Sequence, residues 1–281
     1  MNKIKFTANK DTNYVFHMLS VAKCGYNNEY GERYRGLYPK GDLEVLKSYE
    51  SMITVCGGEH CGELYALLAA QPACAYMSAK EYYAGLIQMI DNNEVPEESI
   101  KYIDTVRDIS EIMIKHYDHY CDEIWKAEEQ KITSYIPEVL EMFEKSDFTQ
   151  KAEDLLGTIL PTESFTAAMV SSVKGGAEAI DISNEQDVFG IDRASKDTFC
   201  FIGHEFIIYL LIEALKDEPA FKTLSTWNQT EGLAEFFLRQ LLGETLPWSE
   251  CQKYIDLYEK WWNEGCRSTV ELYRKAIEST V

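Results

Sequence analysis

Positive charge is scarce in this chain: 27 Lys and Arg stand against 47 Asp and Glu, a formal charge of −20. A surface that acidic repels phosphate backbones and anionic headgroups, which argues against general nucleic-acid or membrane binding and for solubility. No GxSxG elbow, P-loop or GxGxxG occurs, so nucleophile-elbow hydrolase, nucleotide and dinucleotide readings lack support. The eight cysteines (24, 56, 61, 74, 121, 200, 251, 266) include no CxxC pair. The opening MNKIKFTANKDT holds no uninterrupted apolar stretch to serve as a signal core. Reduced thiols and a cytoplasmic location are therefore expected. The most apolar window, 199–215, is broken by His204, Glu205 and Glu213, and reads as a buried helix instead of a membrane span. Internal repeats and low-complexity runs are absent.

What is present is a foldable composition, 46% hydrophobic, 12% aromatic and 26% charged. At 281 residues the chain is near the size at which one core divides into two. Asp11-Thr12 can cap a helix running to about Cys24, and the Gly-, Asn- and Tyr-rich stretch 25–40 reads as a loop. Helices are expected near 41–55, 60–71, 79–92, 97–130 and 134–146, with Gly57-Gly58, Gln71-Pro72 and Asp91-Asn92-Asn93 as breaks. In 97–130, Ile103, Val106, Ile109, Met113, Tyr117, Tyr120 and Ile124 mark one buried face.

The pattern changes after Leu160-Pro161. Strands are expected at 164–173, 177–183 and 187–191, with Lys174-Gly175-Gly176 as a turn. Helices return near 197–217, 228–243 and 249–278, with Pro219 and Pro247 in the connections. The expected class is α+β and predominantly α-helical. A helical region, 1–155, precedes a small sheet and three helices, 156–281, packed as one compact unit.

His204 and Glu205 fall mid-helix in apolar surroundings, where each is costly unless paired or ligated. Glu231 and Glu235 are four apart on the next helix and share a face. Antiparallel packing could bring Glu231 to His204, and a buried His–Glu pair would explain that arrangement without a metal.

The order of features adds a second reading. Gly203-His204-Glu205-Phe206-Ile207-Ile208-Tyr209 follows the strands, and Trp227-Asn228-Gln229-Thr230-Glu231-Gly232-Leu233-Ala234-Glu235-Phe236 comes next, with 22 residues between Ile208 and Glu231. This resembles the gluzincin branch of zinc metallopeptidases, thermolysin-like in their catalytic core, over about 160–245. There a small sheet precedes an HExxH helix, and a Glu in a WxxEGxAEY-like string on the following helix completes the metal site. The resemblance implies a zincin-like core, zinc as cofactor, His204 and Glu231 as ligands, Glu205 as general base, and Tyr209 and Glu235 lining the cleft. A peptide or protein is the implied partner; the oligomeric state is not legible in one sequence.

The departure is Ile208, which stands where the second His belongs. A catalytic zinc keeps three protein ligands and one open position, so His204 and Glu231 alone leave the set short. Tyr209 lies about 100° further around the helix and does not replace the imidazole. His116, His119 and Glu123 share a helix face at steps of three and four and form an alternative metal cluster, against the reading of amphipathic edge residues. His60 between Cys56 and Cys61 fits no zinc spacing, Cys200 is expected in the core, and His17 needs no function. The aromatic C-terminal helix, with Trp261-Trp262, Tyr254, Tyr258 and Tyr273, is expected to pack over its neighbours.

Three functions follow. One is a catalytically impaired metallopeptidase-like protein, or pseudoenzyme, that binds a peptide. Another is an active zinc peptidase drawing a ligand such as His116 or His119 from another helix. The third is a structural or interaction module without ligand.

Overall fold

The computed structural model describes residues 2–56, 60–174, 178–222, 226–243 and 251–279, without the side chains of Cys56, His60 and Lys222. The expected turns at Gly57-Gly58 and Gly175-Gly176, the Pro247 connection and the His60 side chain lie outside that set. The protein is a predominantly helical α+β structure with a small four-stranded sheet.

Strand β1 (Ile4–Thr7), not expected from the sequence, leads into α1 (Lys10–Ala22). Asn9, ahead of the expected Asp11-Thr12, caps α1 by accepting from the backbone of both those residues. The stretch expected as a loop contains α2 (Glu29–Arg35), capped by Asn28. A Cβ on Gly31 would lie 2.4 Å from the Ser20 carbonyl oxygen. That glycine thus marks a close helix approach, where turn freedom is the more usual reading.

Next come α3 (Lys40–Ser48) and α4 (Glu50–Ile53). Strand β2 (Val55–Cys56) pairs antiparallel with β3 (His60–Cys61), so a strand opens the stretch expected as the helix 60–71. Helical structure starts there only with a π turn, Ala66–Ala70, that feeds α5 (Gln71–Cys74). Helix α6 (Ala79–Asp91) carries a capping box of Ser78 and Glu81. The long helix expected over 97–130 is a 3-10 turn, Glu97–Tyr102, followed by α7 (Ile103–Glu123), which ends at Ile124. Helix α8 (Trp125–Ser146) then takes in both the tail of that expectation and the separate helix expected at 134–146, with Pro137 inside it. Helix α9 (Phe148–Leu156) was not expected; Asp147, at φ 51°, separates it from α8.

Strands β4 (Phe165–Val170), β5 (Glu178–Asp181) and β6 (Gln186–Gly190) fall where alternation places them. The sheet order is β1-β4-β6-β5, with β5 and β6 antiparallel and an irregularity between Ala179 and Asp181. Four helices complete the chain: α10 (Ser195–Leu215), α11 (Trp227–Leu242), α12 (Gln252–Asn263) and α13 (Thr269–Glu278). The single helix expected over 249–278 is broken at Gly265, whose φ of +101° suits glycine, and Ser268 caps α13.

Two compact units interleave along the chain. One comprises Phe6–Pro137 and Ala167–Arg193; the other Met1–Lys5, Glu138–Thr166 and Ala194–Val281. The first has a tyrosine-rich interior in which several of the hydroxyls are given partners. Tyr14 donates to the Met113 carbonyl, Tyr83 to Leu68 at 2.7 Å and Tyr117 to Asp11 at 2.7 Å. The second is packed by phenylalanines. Phe143, Phe148, Phe199 and Phe206 meet ring to ring, and Phe165 at the start of β4 lies 5.5 Å from the Tyr209 ring.

A buried histidine between carboxylates

Helix α10 is apolar all round, and such a helix is stable only when covered on every side. By length and composition it could cross a membrane, yet 72% of that window is buried inside the protein. Gly203 lets it be covered closely, since a Cβ there would meet the Phe148 ring at 2.9 Å and Leu238 at 3.2 Å. On α11, a Cβ at Gly232 would lie 2.7 Å from Tyr254 Cβ, so the glycine of the EGLAEF string admits α12. The aromatic residues of the C-terminal helices close over α11. Trp262 packs on Phe236 and Phe237, Tyr258 donates to the Gln229 carbonyl and Tyr273 to Thr226 Oγ1.

Within this packing α10 and α11 bring His204 and Glu231 together. His204 is 1% exposed, and its Nε2 lies 2.9 Å from Glu231 Oε2, whose side chain is 21% exposed. A carboxylate accepts, so Nε2 carries the hydrogen of that bond. The other ring nitrogen, Nδ1, lies 3.9 Å from Oε2 of the fully buried Glu235. Arg239, one turn further along α11, donates from Nε to Glu235 Oε1 at 2.9 Å. The sequence reading missed Arg239. Its Glu235-to-Arg239 spacing of four is the signal that could have found it.

No family model, curated protein or solved structure matches this chain.

Two donors on one tetrahedral zinc, each 2.0–2.1 Å from the ion, stand about 3.3 Å apart. The His204–Glu231 separation of 2.9 Å is close to that spacing. Ile208, one turn beyond His204, is buried and offers hydrocarbon where a third donor is needed. Glu205 is half-buried beside His204, and Tyr209 is buried against Phe165. Among the described residues, no group of three or more His, Cys, Asp or Glu side chains is arranged to hold a metal. The donor set present does not fit a three-ligand zinc site.

The alternative cluster lies in the tyrosine-rich unit. His116 is buried and engaged: its Nε2 is 2.6 Å from Asp42 Oδ2, which also accepts from Lys115 at 2.7 Å. His119 and Glu123 are exposed, and the His119 ring meets the edge of Tyr38. Cys200 is buried, and burial pushes its thiol above the ordinary range, away from a reactive thiolate.

His17, which the sequence reading set aside, has the most elaborate surroundings of the histidines described. It is fully buried, with Nδ1 2.7 Å from the Tyr30 hydroxyl and Nε2 2.7 Å from the Tyr38 hydroxyl. The rings of Tyr34 and Tyr120 complete the cage. Burial, with a smaller contribution from His119, lowers its pKa to about 3. The imidazole is thus neutral, donating to one tyrosine oxygen and accepting from the other hydroxyl. Only the four-residue spacing of Tyr30, Tyr34 and Tyr38 hinted at this, and it needed α2 to be read as a helix.

Proposed function

We propose that this chain is a metallopeptidase-like protein of gluzincin type, with a zincin-like core, whose zinc step has been lost. In this reading it acts in the cytoplasm as a peptide-binding pseudoenzyme. The observation that carries the proposal is the 2.9 Å approach of His204 Nε2 to Glu231 Oε2, across the two helices that the motif order pairs. Ile208 supplies the reason for impairment, because it leaves an imidazole and a carboxylate where three donors are required. Glu205 would be the remnant of the general base.

A second reading, a structural module without ligand, is favoured by the Arg239–Glu235 ion pair beside His204. In that reading the acidic and basic side chains satisfy one another and hold α10 to α11.

Metal content tests the proposal. Purified parent protein is expected to hold no stoichiometric zinc, and Ile208→His to gain about one zinc per chain, as a restored third ligand predicts. Tightly held zinc in the parent that disappears in Glu231→Ala would instead identify an active peptidase with a ligand from elsewhere. An Ile208→His protein as metal-free as its parent would rule out a gluzincin arrangement of these helices.

A further inference from the structure

The tyrosine-rich unit contains a cavity of about 210 Å³ whose charge runs against the rest of the chain. Arg33 from α2, Lys131 from α8 and Lys174 after β4 line it, with Glu29 and Asp192 as the opposing charges. Three cations to two carboxylates is a local excess of positive charge in a chain with 27 basic and 47 acidic residues. None of the three cations makes an ion pair with a described residue. By contrast Lys23, Lys47, Lys80, Arg107 and Lys115 of the same unit are each engaged by a carboxylate.

The polar lining is built and not incidental. Ser171 lines the cavity, is 5% exposed, and its Oγ has no hydrogen-bond partner in the protein. A buried hydroxyl left unsatisfied costs on the order of 1–3 kcal/mol, so such a group calls for a partner. No described side chain accepts from it or donates to it. Asn28 is held in place: its amide nitrogen donates to the Ser172 carbonyl at 2.8 Å, and its oxygen accepts from Gly31 N and from Ser20 Oγ. The Tyr30 hydroxyl is engaged by His17. The three cations and the Ser171 hydroxyl thus line the cavity together, with Glu29 and Asp192 as the opposing charges.

We propose that this cavity is a binding site for a compact anion carrying phosphate or carboxylate groups, independent of the His204–Glu231 pair. Arg33 supplies a planar fork that matches either group, the two lysines supply point charges, and Ser171 donates its hydroxyl hydrogen. The volume is below the 300–1,000 Å³ usual for drug-sized ligands, which limits the occupant to something near inorganic phosphate or a short dicarboxylate. The fixed Asn28 and the Tyr30–His17 pair form a rigid wall beside it, so the site is preorganised.

The test is calorimetric titration of the full chain with inorganic phosphate and, separately, with succinate, each against sodium chloride at matched ionic strength. Saturable binding of at least one is expected, with phosphate alone or succinate alone naming the chemical source. Arg33→Gln combined with Lys131→Gln should weaken it at least tenfold, and Ser171→Ala several-fold. Lys126→Gln, an exposed lysine of α8 outside the cavity, should leave it unchanged. Circular dichroism on each variant separates loss of binding from loss of fold. No saturable heat with either anion, or equal affinity in the parent and the double variant, would overturn the proposal.

Discussion

Among the described residues, His17 and His204 are the histidines buried almost completely, and their two neighbourhoods differ in kind. His17 on α1 is held by two phenolic hydroxyls, while His204 on α10 faces two carboxylates, one of them tied to an arginine. Phenols donate or accept, so a neutral imidazole satisfies both of its nitrogens among them and burial can drive its pKa to about 3. Carboxylates only accept, so the His204 ring donates from Nε2 to Glu231, with Glu235 3.9 Å from its other nitrogen. The first arrangement holds the ring from both of its nitrogens. The second keeps a polar, partly solvent-exposed edge at Glu231 and is the one that retains chemistry worth testing.

The sharpest way to break this contrast is acid titration. In the unfolded chain His17 takes up a proton near pH 6.5, but in the folded protein only near pH 3. Between those values the unfolded state binds more protons, so stability falls as pH is lowered through that window. From pH 7 to pH 4 this one group should remove about 3 kcal/mol. His17→Phe should be less stable than the parent at pH 7, because the Tyr30 and Tyr38 hydroxyls lose their partner, yet lose less on acidification. Urea denaturation at the two pH values measures both; an acid dependence unchanged in the variant would show that the cage does not hold His17 neutral.

Next in size is the carboxylate side of the comparison. Glu235→Ala removes the fully buried partner of Arg239 and an acceptor facing His204 Nδ1. Breaking a buried ion pair by deleting one member costs about 3 kcal/mol. Denaturant midpoints should fall accordingly, and a variant as stable as the parent would mean that the network contributes nothing to packing α10 on α11. The effect should be smaller for the double change Glu235→Ala with Arg239→Ala, which strands no charge.

Much of the helical layout was legible because periodicity and caps are local. The stretches expected at 79–92, 197–217 and 228–243 correspond to α6, α10 and α11, and the strands at 164–173, 177–183 and 187–191 to β4, β5 and β6. What failed depended on distant contacts. Helix α2 was hidden because Gly31 looks like a loop residue until the Ser20 carbonyl is known to lie against it. The break at Ile124 and the uninterrupted passage of α8 through Pro137 invert the local rule that proline stops a helix. At the site, the convergence of His204 and Glu231 was readable from spacing and motif order, and Arg239 from a four-residue step that went unread. The His17 cage was not readable, since it needs α1, α2 and the turn after α2 placed in three dimensions.

A half-buried carboxyl, Glu178, should move stability in the opposite direction to His17. Burial raises the Glu178 carboxyl to about 7; Asp187 adds to the rise and a hydrogen bond with Tyr26 opposes it. Between the ordinary glutamate value near 4.3 and about 7 the folded protein therefore holds a proton that the unfolded chain has released. Its stabilising share is complete below that window and is lost as pH rises through it, at a cost on the order of 1–2 kcal/mol after allowance for partial exposure. Because His17 raises stability with pH over much of the same window, the two slopes oppose there, and Glu178→Gln should leave a steeper rise between pH 5 and pH 6.5 without altering the fall below about pH 4, which His17 governs. A profile that stays equally steep in the variant would place the titrating group elsewhere.

The smallest expected effect is the most informative about function. Glu231→Gln keeps an oxygen that can accept from His204 Nε2, so its stability should change by no more than about 1 kcal/mol. A purely structural pair tolerates that exchange. A metal ligand does not, because an amide oxygen is a much poorer donor to zinc than a carboxylate. Introduced into Ile208→His, the same change should abolish the zinc affinity gained there while leaving the denaturation midpoint near that of Ile208→His alone. Retention of zinc in the double variant would show that Glu231 is not among the ligands, and would move the His204 site to the same structural footing as His17.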